Sequence, residues 1–128
     1  MHEHLTIDHV MDYFQTEIAR HRLQGHTTEL KHMQRVTDYL ARVGQDVGEQ
    51  RNQPMMTIID IFTTLEHEIG IAQQGGKTED LFELQSVAGL LMKPAAAHNA
   101  HDTELRFRTL AASAANARES ILTRREGD

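Results

Sequence analysis

The chain has 128 residues, no cysteine and a formal net charge of −6 at pH 7 when its nine histidines are counted as neutral. That length fits one domain, and we expect residues 1–128 to form a single helical domain. The lack of cysteine excludes disulfides, and the acidic charge argues against a nucleic-acid-binding surface, which needs clustered lysine and arginine. No stretch has the pattern of a membrane span or a secretory signal, so we expect a soluble, cytoplasmic protein without membrane contact.

Apolar residues recur at helical spacing through nearly the whole chain, which predicts an all-α fold. A first helix is expected over about residues 7–23. Thr6 can accept a backbone hydrogen bond as its N-cap, and Gly25 can end it because glycine adopts the left-handed conformation readily. Leu5 and Val10 have the spacing of a hydrophobic staple across this N-terminus.

A second helix is expected from about residue 29 to residue 43 or 47. Its apolar stripe consists of Leu30, Met33, Val36, Leu40 and Val43. Its expected boundary residues are the alternative caps Thr27 and Thr28 and the alternative stops Gly44 and Gly48.

A third helix is expected to begin near residues 52–54, since a proline in the first helical turn loses no needed hydrogen bond. Its apolar stripe alternates spacings of three and four, as in a helical bundle, and consists of Met55, Ile58, Phe62, Leu65, Ile69 and Ala72. Ile59, Ile61 and Ile71 lie off this stripe, so we expect the helix to be covered on more than one side. The glycine pair at 75–76 ends it.

A fourth helix over about residues 79–92 is expected to have Thr78 as its cap, and Pro94 ends or kinks it. A fifth helix is expected over about residues 95–123. The two are either separate helices or one helix kinked at Pro94. The stripe of the fifth helix alternates spacings of four and three, and consists of Ala96, Ala100, Thr103, Phe107, Leu110, Ala114, Ala117 and Ile121.

Short connections favour antiparallel neighbours, so the sequence predicts an antiparallel bundle of four to five helices. The fifth helix would be about 43 Å long at 1.5 Å per residue, longer than the first helix can match. We therefore expect a homodimer that uses this helix and the central hairpin of the third and fourth helices. The expected interface residues are Phe107, Leu110, Ala114 and Ile121.

The candidate metal ligands are His98 and His101, which share one face if they lie on one continuous helix, with Asp102 adding a carboxylate. Imidazole and carboxylate groups are ordinary transition-metal ligands. Zinc sites need three or four ligands, so the remaining ligand would come from another helix or another chain. A histidine-rich metal-binding bundle is therefore kept as an alternative to a protein without a cofactor.

A further alternative is phosphotransfer through His67. The run His67-Glu68-Ile69 is predicted on the exposed side of the third helix, and it is similar in outline to the phospho-acceptor segment of sensor-kinase dimerisation hairpins. The residues that continue that motif are absent, since Gly70-Ile71-Ala72 follows. A histidine-phosphotransfer type of bundle thus stays open on this one residue.

The middle of the chain is acidic. Residues 54–92 contain six acidic side chains and the single base Lys77. No local group of residues supplies a nucleophile, a base and a charge stabiliser together. We therefore predict a small non-enzymatic interaction or regulatory protein, which presents a helical groove or face to another protein with a basic surface.

Overall fold

In the computed structural model, which describes residues 5–51 and 56–127, the chain folds into five helices. They are α1 (Ile7–Gln24), α2 (Thr27–Arg51), α3 (Ile58–Gln74), α4 (Thr78–Ala97) and α5 (His101–Gly127). No strand occurs within these described ranges, and none of their helices is long and apolar enough to cross a bilayer. The predicted all-α helical bundle is confirmed.

The start of α1 matches the prediction in detail. The Thr6 hydroxyl accepts a hydrogen bond from the backbone N–H of His9 at 3.1 Å, and His9 Nδ1 accepts one from the backbone N–H of Thr6 at 3.4 Å. A histidine therefore takes the place that glutamate or glutamine usually has in such a reciprocal capping box. Leu5 and Val10 are both buried, as a hydrophobic staple requires.

Three of the helices end with the same backbone closure. A left-handed residue follows the helix end, directly after α1 and one position later after α3 and α4. The next N–H then reaches back to a carbonyl five residues earlier, as in a Schellman motif. The left-handed residues are Gly25 (φ 73°), Gly76 (φ 65°) and Asn99 (φ 56°). The closing hydrogen bonds run from His26 to His21, from Lys77 to Ala72 and from Ala100 to Ala95.

The predicted ends of the second helix are wrong. α2 runs through Gly44 and Gly48 to Arg51, because a glycine inside a helix costs only about 1 kcal/mol and the buried Val43 and Val47 hold the extra turns against the core. The helix also begins at Thr27 itself, so neither predicted threonine precedes it as a cap.

The third helix begins at Ile58, where Thr57 and Asp60 form a capping box. The predicted start at residues 52–54, and Met55 of the predicted stripe, lie outside the described residues. Four stripe residues are buried: Phe62, Leu65, Ile69 and Ala72. Off the stripe, Ile61 is buried, but Ile59 and Ile71 are 68% and 53% exposed. The expected coverage of further sides is therefore wrong for Ile59 and Ile71.

The boundary between the fourth and fifth helices also differs from the prediction. Pro94 lies inside α4, which continues to Ala97, so the two helices are separate and the break lies at residues 98–100. The buried Pro94 packs in the core, which offsets the backbone hydrogen bond it removes. Thr78 is the first residue of α4, and the N-cap Lys77 makes no side-chain capping bond. The predicted cap is therefore wrong.

Helix α4 is central, because it packs against each of the other four helices. Ala100, just before α5, is buried, and the predicted stripe on α5 faces the core with Thr103 only partly buried. Ala96 belongs to α4 and is exposed. Phe62 of α3 and Phe107 of α5 contact each other, with ring centroids 4.8 Å apart. Buried residues from all five helices form one hydrophobic cluster, and this cluster positions the surface features described next.

Candidate functional site

A groove of about 300 Å³ lies between α2, α3 and the first turns of α4. Its floor is apolar and consists of Tyr39, Ala72 and Leu84, which are buried, together with the half-exposed Ile71. The three helices approach here because Tyr39 lies beside the apolar stripe of α2 while Ala72 is small enough to leave space above it. The groove thus offers apolar surface to a binding partner.

One wall of the groove is an ion pair between α2 and α3. Arg42 donates hydrogen bonds to both carboxylate oxygens of Glu68, at 3.0 and 3.3 Å. The Arg42 guanidinium also lies 5.0 Å from the centre of the Tyr39 ring, within range of a cation–π contact. Its hydrogen bonds to Glu68 raise the pKa of Arg42, so Arg42 keeps its positive charge.

The Tyr39 hydroxyl is buried beside this wall. Burial, followed by the charge of Glu68, raises the pKa of Tyr39 well above its ordinary value. The hydroxyl nevertheless makes no hydrogen bond of acceptable geometry to any residue that the structure describes.

The rim of the groove at α4 is acidic. Asp80 and Glu83 lie three residues apart on one face of α4 and are exposed. Neither forms an ion pair within the part of the chain that the structure describes. Lys77 lines the same rim. The charges of Arg42 and Glu68 cancel, which leaves the two acids Asp80 and Glu83 against the one base Lys77. The open rim is therefore net negative.

Two histidine pairs lie elsewhere on the fold. His21 and His26 bracket the α1–α2 turn, with their Nδ1 atoms 3.1 Å apart. His9 of α1 stacks on His98 at the end of α4, with ring centroids 4.3 Å apart and an interplanar angle of 14°. Stacked rings present their faces to each other, so their in-plane nitrogens do not converge on one metal ion.

The structure changes the premise behind the predicted metal ligands. His98 is the C-cap of α4 and His101 is the first residue of α5, with the left-handed Asn99 between them. They therefore do not share one face of a continuous helix, and that expectation is wrong. His101 and Asp102 are exposed. No group of three or more potential ligands converges among the described residues, and a metal at this site stays a prediction.

The phospho-acceptor candidate is where the sequence placed it. His67 is exposed on α3. On either side of it, Glu66 lies 3.9 Å from Arg106 and Glu68 pairs with Arg42. Both neighbouring carboxylates are thus engaged with arginines. Phosphotransfer through His67 stays a prediction.

The predicted interface residues lie in the core of the single chain. Each is at most 9% exposed: Phe107, Leu110, Ala114 and Ile121. Their apolar surface is already covered by α3 and α4, so a dimer that used them would have to open the bundle. Dimerisation itself stays a prediction, but the apolar stripe of α5 no longer requires it.

Sequence reasoning missed the groove residues Tyr39, Arg42 and Glu68. The groove depends on a contact between residues 26 positions apart, and helical periodicity gives no information on such a pair. The one sequence signal for the groove was the excess of acidic residues at 54–92, because Asp80 and Glu83 of that region line its rim.

Comparisons with known proteins give no family to which this chain can be assigned. No family model, no curated protein sequence and no solved structure matches it.

Proposed function

We propose that this protein is a non-enzymatic helical interaction protein that binds a segment of a partner protein in the groove between α2, α3 and α4. The observation that carries the proposal is the half-exposed Ile71 on an apolar floor, next to the carboxylates of Asp80 and Glu83. Neither carboxylate forms an ion pair within residues 5–51 and 56–127. An apolar anchor in a pocket beside complementary charge is the usual core of a protein–protein contact.

The chemistry of the groove specifies the partner segment. Its volume is at the lower end of small-ligand pockets, so it suits one anchoring apolar side chain. The acidic rim favours lysine or arginine close to that anchor. An amphipathic helix supplies both at spacings of three and four residues, and helix-in-groove binding is a recurring mode of peptide recognition. The expected partner therefore carries a basic amphipathic helix.

Fluorescence anisotropy with a defined probe tests this proposal. The probe is a labelled synthetic helical peptide with leucines on one face and lysines on the other, and glutamate replaces lysine in the control peptide. We expect saturable binding of the lysine peptide to the full chain and no binding of the glutamate peptide. Affinity should fall as salt is added, because exposed charges are screened.

Two variants locate the binding surface. Ile71→Glu places a charge on the groove floor and Glu83→Lys reverses one rim charge, and each is expected to weaken binding at least about tenfold, or 1.4 kcal/mol. Ile59→Glu is the matched control, since Ile59 is also an exposed isoleucine on α3 and does not line the groove. Equal losses in all three variants, or binding of both peptides, would refute the groove as the site.

A further inference from the structure

The turn between α1 and α2 is closed twice by the same two residues. The backbone N–H of His26 donates to the carbonyl of His21 at 2.9 Å, in the closure that the left-handed Gly25 makes possible. The side chains of the same residues meet as well, with Nδ1 of His21 and Nδ1 of His26 3.1 Å apart. His21 is 7% exposed, whereas His26 is exposed.

The ring geometry specifies what joins the two nitrogens. The ring centroids are 5.3 Å apart. This is almost the largest separation that the Nδ1–Nδ1 distance allows, and it is reached only when each Nδ1 lies on the line between the two ring centres. The two Nδ1 atoms therefore point at each other along one line. That is the alignment of an N–H···N hydrogen bond. A metal ion bound to both nitrogens, at about 2.0–2.1 Å from each, would hold them about 4 Å apart if it lay on that line. With the nitrogens 3.1 Å apart, the ion would have to lie beside the line, where these lone pairs do not point.

An N–H···N bond needs one proton between the two nitrogens. Two bare nitrogens repel through their lone pairs, and two that both carry hydrogen oppose those hydrogens. The contact between His21 and His26 thus depends on how many Nδ1 protons the pair holds. One proton closes it, whereas none or two open it.

The surroundings assign the Nδ1 proton to His21. Nε2 of His21 lies 3.5 Å from Nη2 of Arg20 and 3.6 Å from a carboxylate oxygen of Glu17. A guanidinium can only donate, so Nε2 of His21 accepts from Arg20 and the hydrogen of this ring is on Nδ1, facing His26. Arg20 is itself bonded to Glu17, which partly uses that carboxylate. No other hydrogen bond or ion pair reaches either ring from the described residues of any helix.

We propose that His21 and His26 form an acid-sensitive latch on the α1–α2 turn. In the closed state, Nδ1–H of one ring donates to Nδ1 of the other. Protonation of the accepting Nδ1 by solvent hydronium removes the acceptor lone pair, breaks the N–H···N bond and leaves an imidazolium whose Nδ1–H faces the Nδ1–H of the other ring. The turn then keeps only its backbone closure, and the end of α1 loosens from the start of α2.

Imidazole ¹⁵N NMR of the full chain tests the latch in a titration from about pH 8 to about pH 5. In the closed state we expect one protonated and one bare Nδ1, with a scalar coupling across the hydrogen bond. At the acid end the coupling disappears, and the amide protection factor of His26 falls about tenfold. Bare Nδ1 atoms on both rings at pH 8, or an unchanged protection factor, would overturn the proposal.

Variants separate the latch from a general acid effect. His26→Gln removes the second titrating ring, so the acid-dependent loss of protection at the turn should disappear. His67→Gln is the control, because it removes an exposed helical histidine and should leave the response at the turn intact. Stoichiometric binding of Zn²⁺ by the pair at pH 8, abolished by His26→Gln, would assign the two nitrogens to a metal and overturn the shared proton.

Discussion

Arg42 binds Glu68 through two guanidinium nitrogens, and this contact joins α2 to α3 along one wall of the groove. The two side chains are 52% and 25% exposed, so water and salt screen much of their attraction. Their main effect is on geometry, because the pair holds the Arg42 guanidinium over the Tyr39 ring.

The contribution of this ion pair to the free energy of unfolding is therefore expected to be small. A double-mutant cycle with Arg42→Ala and Glu68→Ala should give a coupling free energy of about 0.5–1 kcal/mol, as for other partly exposed pairs. Urea unfolding of the four proteins measures it. A coupling above about 2 kcal/mol would mean that the pair is much better desolvated than its exposure indicates.

Tyr39→Phe is expected to leave the free energy of unfolding within about 0.5 kcal/mol of the original, or to raise it, since the lost hydroxyl has no hydrogen-bond partner of good geometry. The measurement is chemical unfolding at neutral pH. A loss of more than about 1.5 kcal/mol would show that the hydroxyl forms a strong bond to Glu68.

The same tyrosine makes stability depend on alkaline pH. Burial and Glu68 raise the folded-state pKa of Tyr39 above its ordinary value of 10.0, so the folded chain keeps a proton that the unfolded chain releases. Its contribution is therefore fully present below pH 10 and is lost as pH rises through the folded-state value. Tyr39→Phe should flatten this alkaline decline more than Tyr13→Phe, since Tyr13 is less buried. Equal slopes in both variants would contradict this.

Phe107→Ala should destabilise the single chain by about 3–5 kcal/mol, because Phe107 is fully buried against Phe62. The matched control Leu105→Ala lies on the same helix and is 57% exposed, so it should have little effect. Unfolding at several protein concentrations measures both. A loss for Phe107→Ala that grows on dilution would restore the sequence-based interpretation of Phe107 as a dimer contact.

Asn99 lies just after α4 in a left-handed conformation, so substitutions there should change the free energy of unfolding according to how readily the new residue adopts that conformation. Asn99→Gly is expected to leave stability unchanged or raise it by up to about 1 kcal/mol, whereas Asn99→Ala should cost about 1 kcal/mol. Asn116→Gly is the control, because Asn116 is inside α5 and glycine there should cost stability, by roughly a few tenths of a kcal/mol relative to asparagine. Thermal unfolding ranks the three, and a gain from Asn99→Ala would contradict the left-handed turn.

Asn99 also shows why part of the fold could not be predicted from the sequence. Helical periodicity identified the buried stripes of α3 and α5, and capping chemistry located the start and end of α1, because these signals are local. Pro94 was expected to interrupt the chain, yet its burial keeps it inside α4. The break fell at Asn99, since that residue adopts the left-handed conformation more readily than most.

The candidate groove could not be predicted because its parts are distant in sequence. Tyr39 and Ala72 meet only when α2 packs on α3, and the Arg42–Glu68 pair depends on the rotation of both helices. The sequence did predict an acidic central region, and the structure places Asp80 and Glu83 of that region on the groove rim. The abundance of histidine suggested His98 and His101 as metal ligands. The histidines whose Nδ1 atoms meet are instead His21 and His26, which the turn at Gly25 brings together.

The measurement that most directly tests the proposed binding function is a ¹³C-methyl NMR titration of the full chain with the lysine–leucine helical peptide. Ile71 is on the groove floor and Ile59 is on the same helix outside it, so the two methyl signals separate groove binding from general association. We predict a saturable shift of the Ile71 signal, a contact between Ile71 and a peptide leucine, and an unchanged Ile59 signal. A titration that leaves Ile71 unmoved, or that shifts both signals equally, would contradict a partner-binding groove.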